Sequence, residues 1–502
     1  MKPASNVRPP AVAVLLVASL GALVVTAQTV ITPPKNKYTP EQDVQLGREA
    51  AAEVRREYPI ISDDQISGYL ERAGRALVAA APASLNNPAF EYSFTPVNLK
   101  EINAFALPGG YVYVTRGLMA YMESEADLAG VIGHEIGHVT ARHGAQRATR
   151  QQTAGLGVLA ATILGAVLEV KGVSGATDIA STMSQGVAAG YIASYSRDQE
   201  SQADKLGAEY LARIDYDPKN MVDVIRVLKS QEQFAADTAR AEGRTPPSGA
   251  GWLASHPSND KRLQDIVQYS AQYKGKYADE GRARYLQAIN GMTFGESREQ
   301  GVTRGRHFYH EPLGIALTAP EGWRVLNSQE AVALLNGAGD AGLIVQTVPP
   351  KAGSSHDEII RNVFRLEQGR MERLALGGFP ATHFAGIARN RQGQAQAVEA
   401  TVATGPGNRH FLLFYGARDA QALARSRGRL REAESSFRAL TAADAAAARP
   451  WVLRTTPYQR GSLARLAGQS PLIGNAEAQL RLLNGIYAGG EPPAGQTIKI
   501  IE

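Results

Sequence analysis

The segment that decides the fold of this chain is Val131–His143, with the sequence VIGHEIGHVTARH. Its centre holds His134 and His138, which are four residues apart. On an α-helix this spacing places both imidazoles on the same face, about one turn from each other, so both can reach one metal ion. Glu135 follows the first histidine and can accept a proton beside the metal. The pattern predicts a metal-binding helix with its own general base, an arrangement typical of zinc peptidases.

The flanking residues predict the extent of this helix. Ser124 is followed three residues later by the acid Asp127, which is the pattern of a helix N-cap, so we expect the metal-binding helix to begin at Ser124. We expect His143 to extend the same helix. Because His143 lies five residues beyond His138, it is off the ligand face, and we interpret it as a supporting residue and not as a ligand.

A second helical segment supplies candidate partners for the two histidines. Residues 195–211 have helical periodicity, and Glu200 and Asp204 share one face. Zinc held by two histidines needs a third protein ligand and an open position. Glu200 can be that ligand, and Asp204 can accept a hydrogen bond from a liganding imidazole. A solvated, charged helix is the alternative, but the two histidines need a partner, which favours the ligand interpretation.

Length and composition restrict the class of protein. The chain has 502 residues, too many for one hydrophobic core, so we expect about two to four domains. It has no cysteine, so zinc would have to be held by histidine and carboxylate. The net charge of +5 falls to +3 without Lys2 and Arg8, and the two signs are interspersed, so nucleic-acid binding is not indicated.

Residues 1–27 have the features of a secretory signal peptide. Lys2 and Arg8 give a positive start, Ala11–Val25 is an unbroken run of apolar and small residues, and small residues lead to a cleavage position after Ala27. An uncleaved membrane anchor is the alternative, for which the run is short. Export of a chain without cysteine fits a bacterial periplasm, so we predict a periplasmic protein.

A later apolar segment, Ala154–Leu168, leaves two interpretations open. Its fifteen residues are short for a membrane span, which favours a buried helix. The alternative is a hairpin that packs against the membrane surface and gives the protein a peripheral membrane contact.

A strand is predicted close to the metal-binding helix. The run of aromatic and β-branched residues at Tyr111, Val112, Tyr113, Val114 and Thr115 follows a Pro-Gly-Gly turn. If this strand lies at the edge of its sheet, it can bind an extended substrate through backbone hydrogen bonds. An ordinary sheet strand is equally compatible with the spacing.

Several blocks of the chain resemble the HtpX- and BepA-like zinc metallopeptidases, the family that also contains the CAAX prenyl proteases. The resemblance extends over about residues 38–295, and the combination of HEIGH with a later E-x-x-A-D is specific to it. The matching blocks, in the family's order, are Asn103–Gly117, HEIGH with Arg142 and His143 behind it, SRDQESQAD at Ser196–Asp204, Tyr216–Pro218, and Ser255–Pro257 followed by Arg262.

The resemblance implies a chain of class α+β, with a mostly helical gluzincin-type metalloprotease domain and a small β-sheet at residues 28–295. It implies one Zn²⁺ per chain, with Glu135 as catalytic base and Asp204 as the acid that orients a ligand. His256 matches a loop histidine that, in periplasmic members, approaches the zinc and holds the enzyme inactive. No further membrane span is evident, so the chain resembles the soluble periplasmic branch. The implied zinc ligands are His134, His138 and Glu200.

Residues 301–440 have the pattern of a separate α+β domain of unknown role. We expect helices at Asp357–Arg373 and Ala420–Leu440, and strands at Thr382–Ala388, Ala397–Val402 and His410–Tyr415. The histidines of this domain show no ligand spacing. We assign it no chemistry, and docking of a substrate or partner is the default interpretation.

The tail at residues 450–502 resembles a LysM module and follows a predicted linker at Thr441–Ala448. Ser462–Ala467 matches the first helix of such modules, and Pro493–Ile500 matches the closing turn and strand. LysM modules bind N-acetylglucosamine polymers such as peptidoglycan. Here the usual Pro-Gly-Asp-Thr opening is replaced by Tyr458–Ser462, so a peptidoglycan contact and a contact with protein both remain open.

Taken together, these features predict a zinc-dependent endopeptidase that hydrolyses misfolded or exposed cell-envelope proteins. His256 and Arg262 are candidates for the donor that stabilises the oxyanion. The alternative function is a protease-silent chaperone or a peptidoglycan-bound scaffold, which an intact metal site disfavours and a fourth ligand at His256 would favour. A peptidase of cell-wall peptides is a third interpretation, which the tail favours and the resemblance disfavours.

Overall fold

The computed structural model describes residues 29–154, 195–243, 256, 260–277, 279–328, 331–389 and 395–502. The predicted signal peptide and nearly all of the apolar segment at 154–168 lie outside these residues. Helices dominate the first part of the described chain and strands the later part, which confirms the α+β class. Within the described ranges, no helix combines the length and the apolar character that a membrane span requires.

The N-terminal part of the chain is mostly helical and contains one small sheet. Its helices are α1 (Pro40–Glu57), α2 (Asp64–Ala80), α3 (Arg116–Tyr121), α4 (Glu125–Thr140), α5 (His143–Ala154), α6 (Arg197–Arg213), α7 (Asn220–Ala241), α8 (Asp260–Ser270) and α9 (Arg282–Ile289). Its strands are β1 (Ser93–Val97), β2 (Ala104–Leu107), β3 (Tyr111–Thr115) and β4 (Thr293–Phe294).

The metal-binding helix is α4, and it begins where the sequence predicts. The Ser124 side chain accepts a hydrogen bond from the Asp127 amide at 3.1 Å, which is the predicted N-cap. The expectation that His143 extends α4 is wrong, because α4 ends at Thr140. Arg142 then adopts a left-handed backbone conformation with φ 58°, and His143 begins α5.

Small residues bring α4 and α6 close together. A Cβ added at Gly137 would lie 3.0 Å from the Cα of Ala203, and one added at Gly133 would lie 3.4 Å from the Cα of Gly207. Glycine at these positions therefore allows the two backbones to approach closely. This contact brings the first turns of α6, which carry the predicted acidic partners, next to the histidines of α4.

The small sheet has the strand order β1-β3-β2, so β3 is its central strand. Tyr111 to Thr115 pair with β1 on one side, and Tyr111 to Val114 pair with β2 on the other. The prediction that Tyr111, Val112, Tyr113 and Val114 form a substrate-binding edge is therefore wrong, because both sides of β3 are already hydrogen-bonded. The strand at the edge of the sheet next to α4 is β2.

The second part of the chain is built on two antiparallel sheets. A seven-stranded sheet has the order β11-β12-β13-β14-β10-β9-β8, and a four-stranded sheet has the order β15-β7-β6-β5. The strands are β5 (Val302–Arg304), β6 (His307–His310), β7 (Ile315–Thr318), β8 (Arg324–Asn327), β9 (Val332–Leu335), β10 (Ala341–Thr347), β11 (Arg365–Leu376), β12 (Phe379–Arg389), β13 (Ala395–Thr404), β14 (His410–Ala417) and β15 (Arg438–Ala439). The helices are α10 (His356–Val363), α11 (Ala420–Ser435) and α12 (Ala442–Ala447).

Two predictions in this part need correction. The predicted helix at Asp357–Arg373 is only α10, which ends at Val363, and the rest is strand β11. Pairing of β11 with β12 along nearly its whole length outweighs the local helical pattern. The predicted linker at Thr441–Ala448 forms helix α12, which begins with a capping box between Thr441 and Asp444.

The C-terminal residues form two strands and two helices, in the order strand, helix, helix, strand. These are β16 (Trp451–Pro457), α13 (Leu463–Gln469), α14 (Ala476–Leu483) and β17 (Thr497–Ile501). We call residues 451–502 the C-terminal module. Strand β16 pairs with β17 and also with β4 of the N-terminal part. The apolar side chains Leu453, Leu480, Leu483 and Ile501 belong to the same hydrophobic core as Leu128 and Ile132 of α4. Glycan binding by this module stays a prediction.

Candidate metal centre

Four buried side chains from α4, α6 and one loop residue converge on one point. Nitrogen or oxygen atoms of His134, His138, Glu200 and His256 all lie within 4.8 Å of one another. The Nε2 atoms of the two α4 histidines are 3.0 Å apart. Glu200 places its carboxylate oxygens 3.6 Å from His134 Nε2 and 3.4 Å from His138 Nε2. The structure thus brings together the three residues that the sequence predicts as metal ligands.

A buried acid and a buried arginine support the first histidine. Asp204 places Oδ1 3.0 Å from His134 Nδ1, so the other ring nitrogen, Nε2, faces the centre. Arg262 donates two hydrogen bonds to Asp204, at 2.7 and 2.8 Å, and lies 2.9 Å from Glu200 Oε2. These contacts hold both acids of α6 in place.

Arg262 is buried and holds other residues of the site in position. It is only 8% exposed, and it also donates to the backbone oxygen of His256 at 3.1 Å. A guanidinium engaged with two carboxylates and a carbonyl anchors the site, and the role of Arg262 as a donor to the oxyanion stays a prediction.

The second histidine is held by residues outside the four-residue cluster. Its Nδ1 lies 2.8 Å from His143 Nδ1, and His143 Nε2 lies 3.1 Å from Gln202 Oε1. The ring of Tyr195 stacks on His138 with a centroid distance of 3.7 Å, and Arg147 lies 4.1 Å over the same tyrosine ring. His143 thus supports the site as predicted, although it lies on a different helix from the predicted one.

Sequence reasoning gave Tyr195 no role at the site. The available signal was its position directly before the Ser196 cap of α6, since the residue before that cap must lie beside the metal-binding helix once α6 packs against α4.

Glu135 and His256 complete the centre. His256 Nδ1 lies 3.2 Å from His134 Nε2 and 3.1 Å from Glu200 Oε1, and its Nε2 lies 3.5 Å from Glu135 Oε1. Glu135 is fully buried and His256 is 1% exposed. The predicted loop histidine therefore contacts two of the predicted ligands, and the predicted base lies beside this histidine.

The buried charges influence one another strongly. Burial by itself would lower the pKa of His134, but the carboxylates of Asp204 and Glu200 outweigh this and raise it. Burial lowers the pKa of His138 well below its usual value. The pKa of Glu200 is well below its usual range, because the neighbouring histidines His256, His138 and His134 outweigh the effect of burial. Glu200 is therefore a carboxylate and His138 a neutral imidazole, which are the forms that bind a metal.

The donor set fits a zinc ion. Two nitrogens and one carboxylate, with no thiolate, are a known ligand set for catalytic zinc. In a tetrahedral site with Zn–N distances of about 2.0–2.1 Å, two nitrogens are roughly 3.4 Å apart, close to the 3.0 Å between the Nε2 atoms of His134 and His138. The Nδ1 atoms of both rings are engaged on the outer side, so both Nε2 atoms point to the same position.

A small cleft of about 10 Å³ lies between the edge of the small sheet and His138. Residues that line it include Ala106 and Leu107 of β2, His138 and Arg142 near the end of α4, and Tyr195. The cleft thus connects the edge strand with one of the predicted metal ligands.

A family model and the curated relatives identify one family. Residues 65–270 match the model of peptidase family M48. The beta-barrel assembly-enhancing protease of Yersinia pestis is 31% identical over 238 residues, 47% of this chain and 45% of that protein. The metalloprotease YcaL of Escherichia coli (strain K12) is 30% identical over 211 residues, 41% of this chain and 73% of that protein. Among solved structures, the cyanobacterial PsbP of Synechocystis sp. PCC 6803 matches with 14% identity and a TM-score of 0.21, over 29% of this chain and 98% of that one.

These matches cover different shares of the relatives. The chain spans about half the length of the beta-barrel assembly-enhancing proteases, but 73% of the length of YcaL. The matched segment contains both the α4 histidines and the acids of α6. The predicted metallopeptidase family is thereby confirmed, and the chain belongs to peptidase family M48.

Proposed function

We propose that this protein is a zinc-dependent endopeptidase that hydrolyses misfolded or exposed proteins of the cell envelope. The observation that carries the proposal is the convergence of His134, His138 and Glu200 on one position, with the carboxylate of Glu135 beside them. Two imidazoles, one carboxylate and an adjacent general base are the parts of a hydrolytic zinc site.

The chemistry follows from these parts. A zinc ion held by the three ligands would supply a Lewis acid that polarises the scissile carbonyl and makes water more acidic. Glu135 accepts the proton of the attacking water and then delivers it to the leaving amine. Asp204 holds the His134 ring in the orientation that presents Nε2, and His143 does the same for His138.

We propose that the substrate binds as an extended strand along β2. The backbone amide of Thr115 donates to the backbone oxygen of Asn103 at 3.0 Å, so the backbone groups of Asn103 face β3. Because these groups alternate in direction along a strand, those of Ala104 and Ala106 point away from β3. No other strand of the described ranges pairs with this side of β2. The residues of β2 are buried, so we expect the cleft beside them to widen when a polypeptide enters.

The predicted signal peptide and the relatives support the choice of an envelope substrate. Two M48 relatives are named for enhancing β-barrel assembly. An unfolded polypeptide presents free backbone groups to an edge strand, whereas a folded protein has most of them paired. We therefore propose unfolded or misassembled exported proteins as substrates in the periplasm.

The test compares the full-length protein with its Glu135→Gln variant. Both should contain one zinc per chain, because Glu135 is not among the proposed ligands, and cleavage of unfolded casein should fall by about 10²–10⁴-fold in the variant. Glu49→Gln, at an exposed position of α1, is the matched control and should cleave at the wild-type rate. Wild-type activity in Glu135→Gln would refute the mechanism, and absence of zinc from both proteins would refute the site.

A protease-silent state is the second candidate, and the position of His256 favours it. With Nδ1 3.2 Å from His134 Nε2 and 3.1 Å from Glu200 Oε1, His256 occupies the side of the centre where a water or a substrate carbonyl would bind. We propose that it acts as a fourth ligand that must move away before catalysis. His256→Ala should then raise the rate of casein cleavage, whereas His307→Ala, in the second part of the chain, should leave it unchanged. A rate in His256→Ala no higher than the wild-type rate would remove the support for this state.

A further inference from the structure

The C-terminal module buries a lysine in the peptidase core. Lys499 of β17 is 0% exposed, although a lysine is almost never fully buried without partners. Its Nζ donates to the backbone oxygens of Ala120 at 2.9 Å and Met122 at 2.8 Å, and lies 2.7 Å from Glu123 Oε1. Three oxygens that lie 376 to 379 positions earlier in the chain therefore satisfy one ammonium group.

The three oxygens belong to the end of α3 and to the short turn that leads into the metal-binding helix. Ala120 lies in the last turn of α3, and Met122 and Glu123 connect α3 with the Ser124 cap of α4. Asp127, in the first turn of α4, accepts a hydrogen bond from the Glu123 amide at 3.0 Å. His134 lies ten residues beyond Ser124, about 15 Å along the helix at 1.5 Å per residue, so the position of this turn sets the direction of the helix that carries the metal centre.

Hydrogen bonds on both sides of the contact hold Lys499 in this place. Asn484 accepts a hydrogen bond from the Lys499 amide and donates one to the Lys499 carbonyl, both at 2.8 Å. Arg282 of α9 connects the same two regions, since it donates to the Glu123 backbone oxygen at 2.8 Å and to the Thr497 backbone oxygen at 2.9 Å. A surface contact between independent domains would not need a fully desolvated charge with paired backbone groups on both sides.

We infer that Lys499 is a positioning residue of the peptidase: the C-terminal module completes the peptidase core and uses this lysine to hold the turn from which the metal-binding helix starts. The inference rests on the proposed metal centre only where it concerns zinc, because the position of α4 can be measured whether or not the protein cleaves peptides. The C-terminal module therefore packs first of all against the peptidase domain of its own chain.

The experiment replaces Lys499 in the full-length protein by methionine, which keeps the length of the side chain and removes its donors. The first readout is hydrogen exchange of the amides in residues 122–130. We expect exchange there to become at least about tenfold faster in Lys499→Met, because two carbonyls and one carboxylate lose their buried donor. The exposed residue Lys351 provides the control Lys351→Met, which should exchange as the wild type does.

The second readout is the rate at which zinc passes to a chelator, and the third is the kinetics of casein cleavage. We expect faster zinc release in Lys499→Met, and a loss in kcat with little change in KM, because the ligands are displaced while the β2 edge is retained. A protein that is folded, exchanges as the wild type in residues 122–130 and releases zinc at the wild-type rate would overturn the inference.

A second variant decides the case in which Lys499→Met does not fold. Glu123→Gln keeps the two bonds from Lys499 to backbone carbonyls and removes the carboxylate that pairs with Lys499 and with Arg282. We expect it to fold and to show a smaller acceleration of exchange in the same residues, and Arg282→Gln, which removes the second pair and keeps Lys499, is the control. Wild-type exchange in Glu123→Gln, together with an unfolded Lys499→Met, would assign the lysine to overall stability and refute a positioning role. Absence of cleavage by the wild-type protein would count against the proposed function but would leave the exchange result interpretable.

Discussion

The sharpest test of the centre is the substitution Asp204→Asn, which keeps the shape of the side chain and removes its charge. Asp204 is 1% exposed, lies 3.0 Å from His134 Nδ1, and accepts two hydrogen bonds from Arg262. The amide cannot hold an imidazole N–H as strongly as the carboxylate does, and it leaves Arg262 with Glu200 as its remaining carboxylate partner. The change therefore affects both metal affinity and the stability of the metal-free protein.

The two effects have different expected sizes. Loss of the residue that orients a metal-bound histidine costs about 10–100-fold in affinity, which is roughly 1.4–2.8 kcal/mol. Breaking a buried ion pair by removing one partner costs about 3–5 kcal/mol. Because Arg262 keeps Glu200 at 2.9 Å, we expect the loss in unfolding free energy to be near the lower end of that range.

The assays are zinc competition with a chelator and urea unfolding of the metal-free protein. Asp223→Asn on α7 is the matched control, since its side chain is 44% exposed and pairs with a surface arginine, and both quantities should stay at wild-type values. If Asp204→Asn binds zinc within twofold of the wild type, Asp204 does not orient His134, and the account of the centre given above is wrong.

Three further outcomes follow from the packing and the charges. Gly137→Ala should lower the free energy of unfolding by about 1–3 kcal/mol, because its Cβ would lie 3.0 Å from the α6 backbone; Gly130→Ala, whose Cβ would meet a flexible methionine at 3.3 Å, should cost less in the same urea titration. The carboxylates of Glu399 and Glu434, 3.5 and 3.7 Å from the ring nitrogens, raise the pKa of His383 to about 9, so its contribution, on the order of 3 kcal/mol, is complete below pH about 6.5 and is lost as the pH rises through 9. The stability difference between wild type and His383→Gln should therefore disappear between pH 6 and pH 10. Removal of zinc by a chelator should lower Tm, and zinc at about 100 times its Kd should restore roughly 2.7 kcal/mol.

The part of the centre that the sequence predicts is the part governed by helix periodicity. His134 and His138 on α4, and Glu200 and Asp204 on α6, are each four residues apart, and each pair lies on one helix face in the structure. The identity of these residues then determines which faces must meet, because two histidines without a thiolate need a carboxylate. Their role as ligands stays a prediction, but their meeting is observed.

The errors arise where contacts distant in the sequence decide the outcome. Strand β3 has the composition of either an edge or a central strand, and only its pairing with both β1 and β2 distinguishes the two. The helical pattern of residues 365–373 is real, but pairing with β12 makes this segment a strand. The break between Thr140 and His143 depends on one left-handed residue, Arg142, which the apolar pattern of α4 does not reveal.

The place of Arg262 also depends on distant contacts, yet charge balance explains why a cation is needed there. Glu135, Glu200 and Asp204 are all at most 2% exposed, and three buried carboxylates would repel one another at high cost. A divalent metal ion held by the proposed ligands would contribute two positive charges and Arg262 contributes one, so together they would balance three carboxylates. The carboxylates of Asp204 and Glu200 raise the pKa of His134, as expected where negative charge is buried beside an imidazole. A helix-spaced histidine pair can be found from spacing alone, whereas the arginine that balances it becomes predictable only when the buried carboxylates are counted.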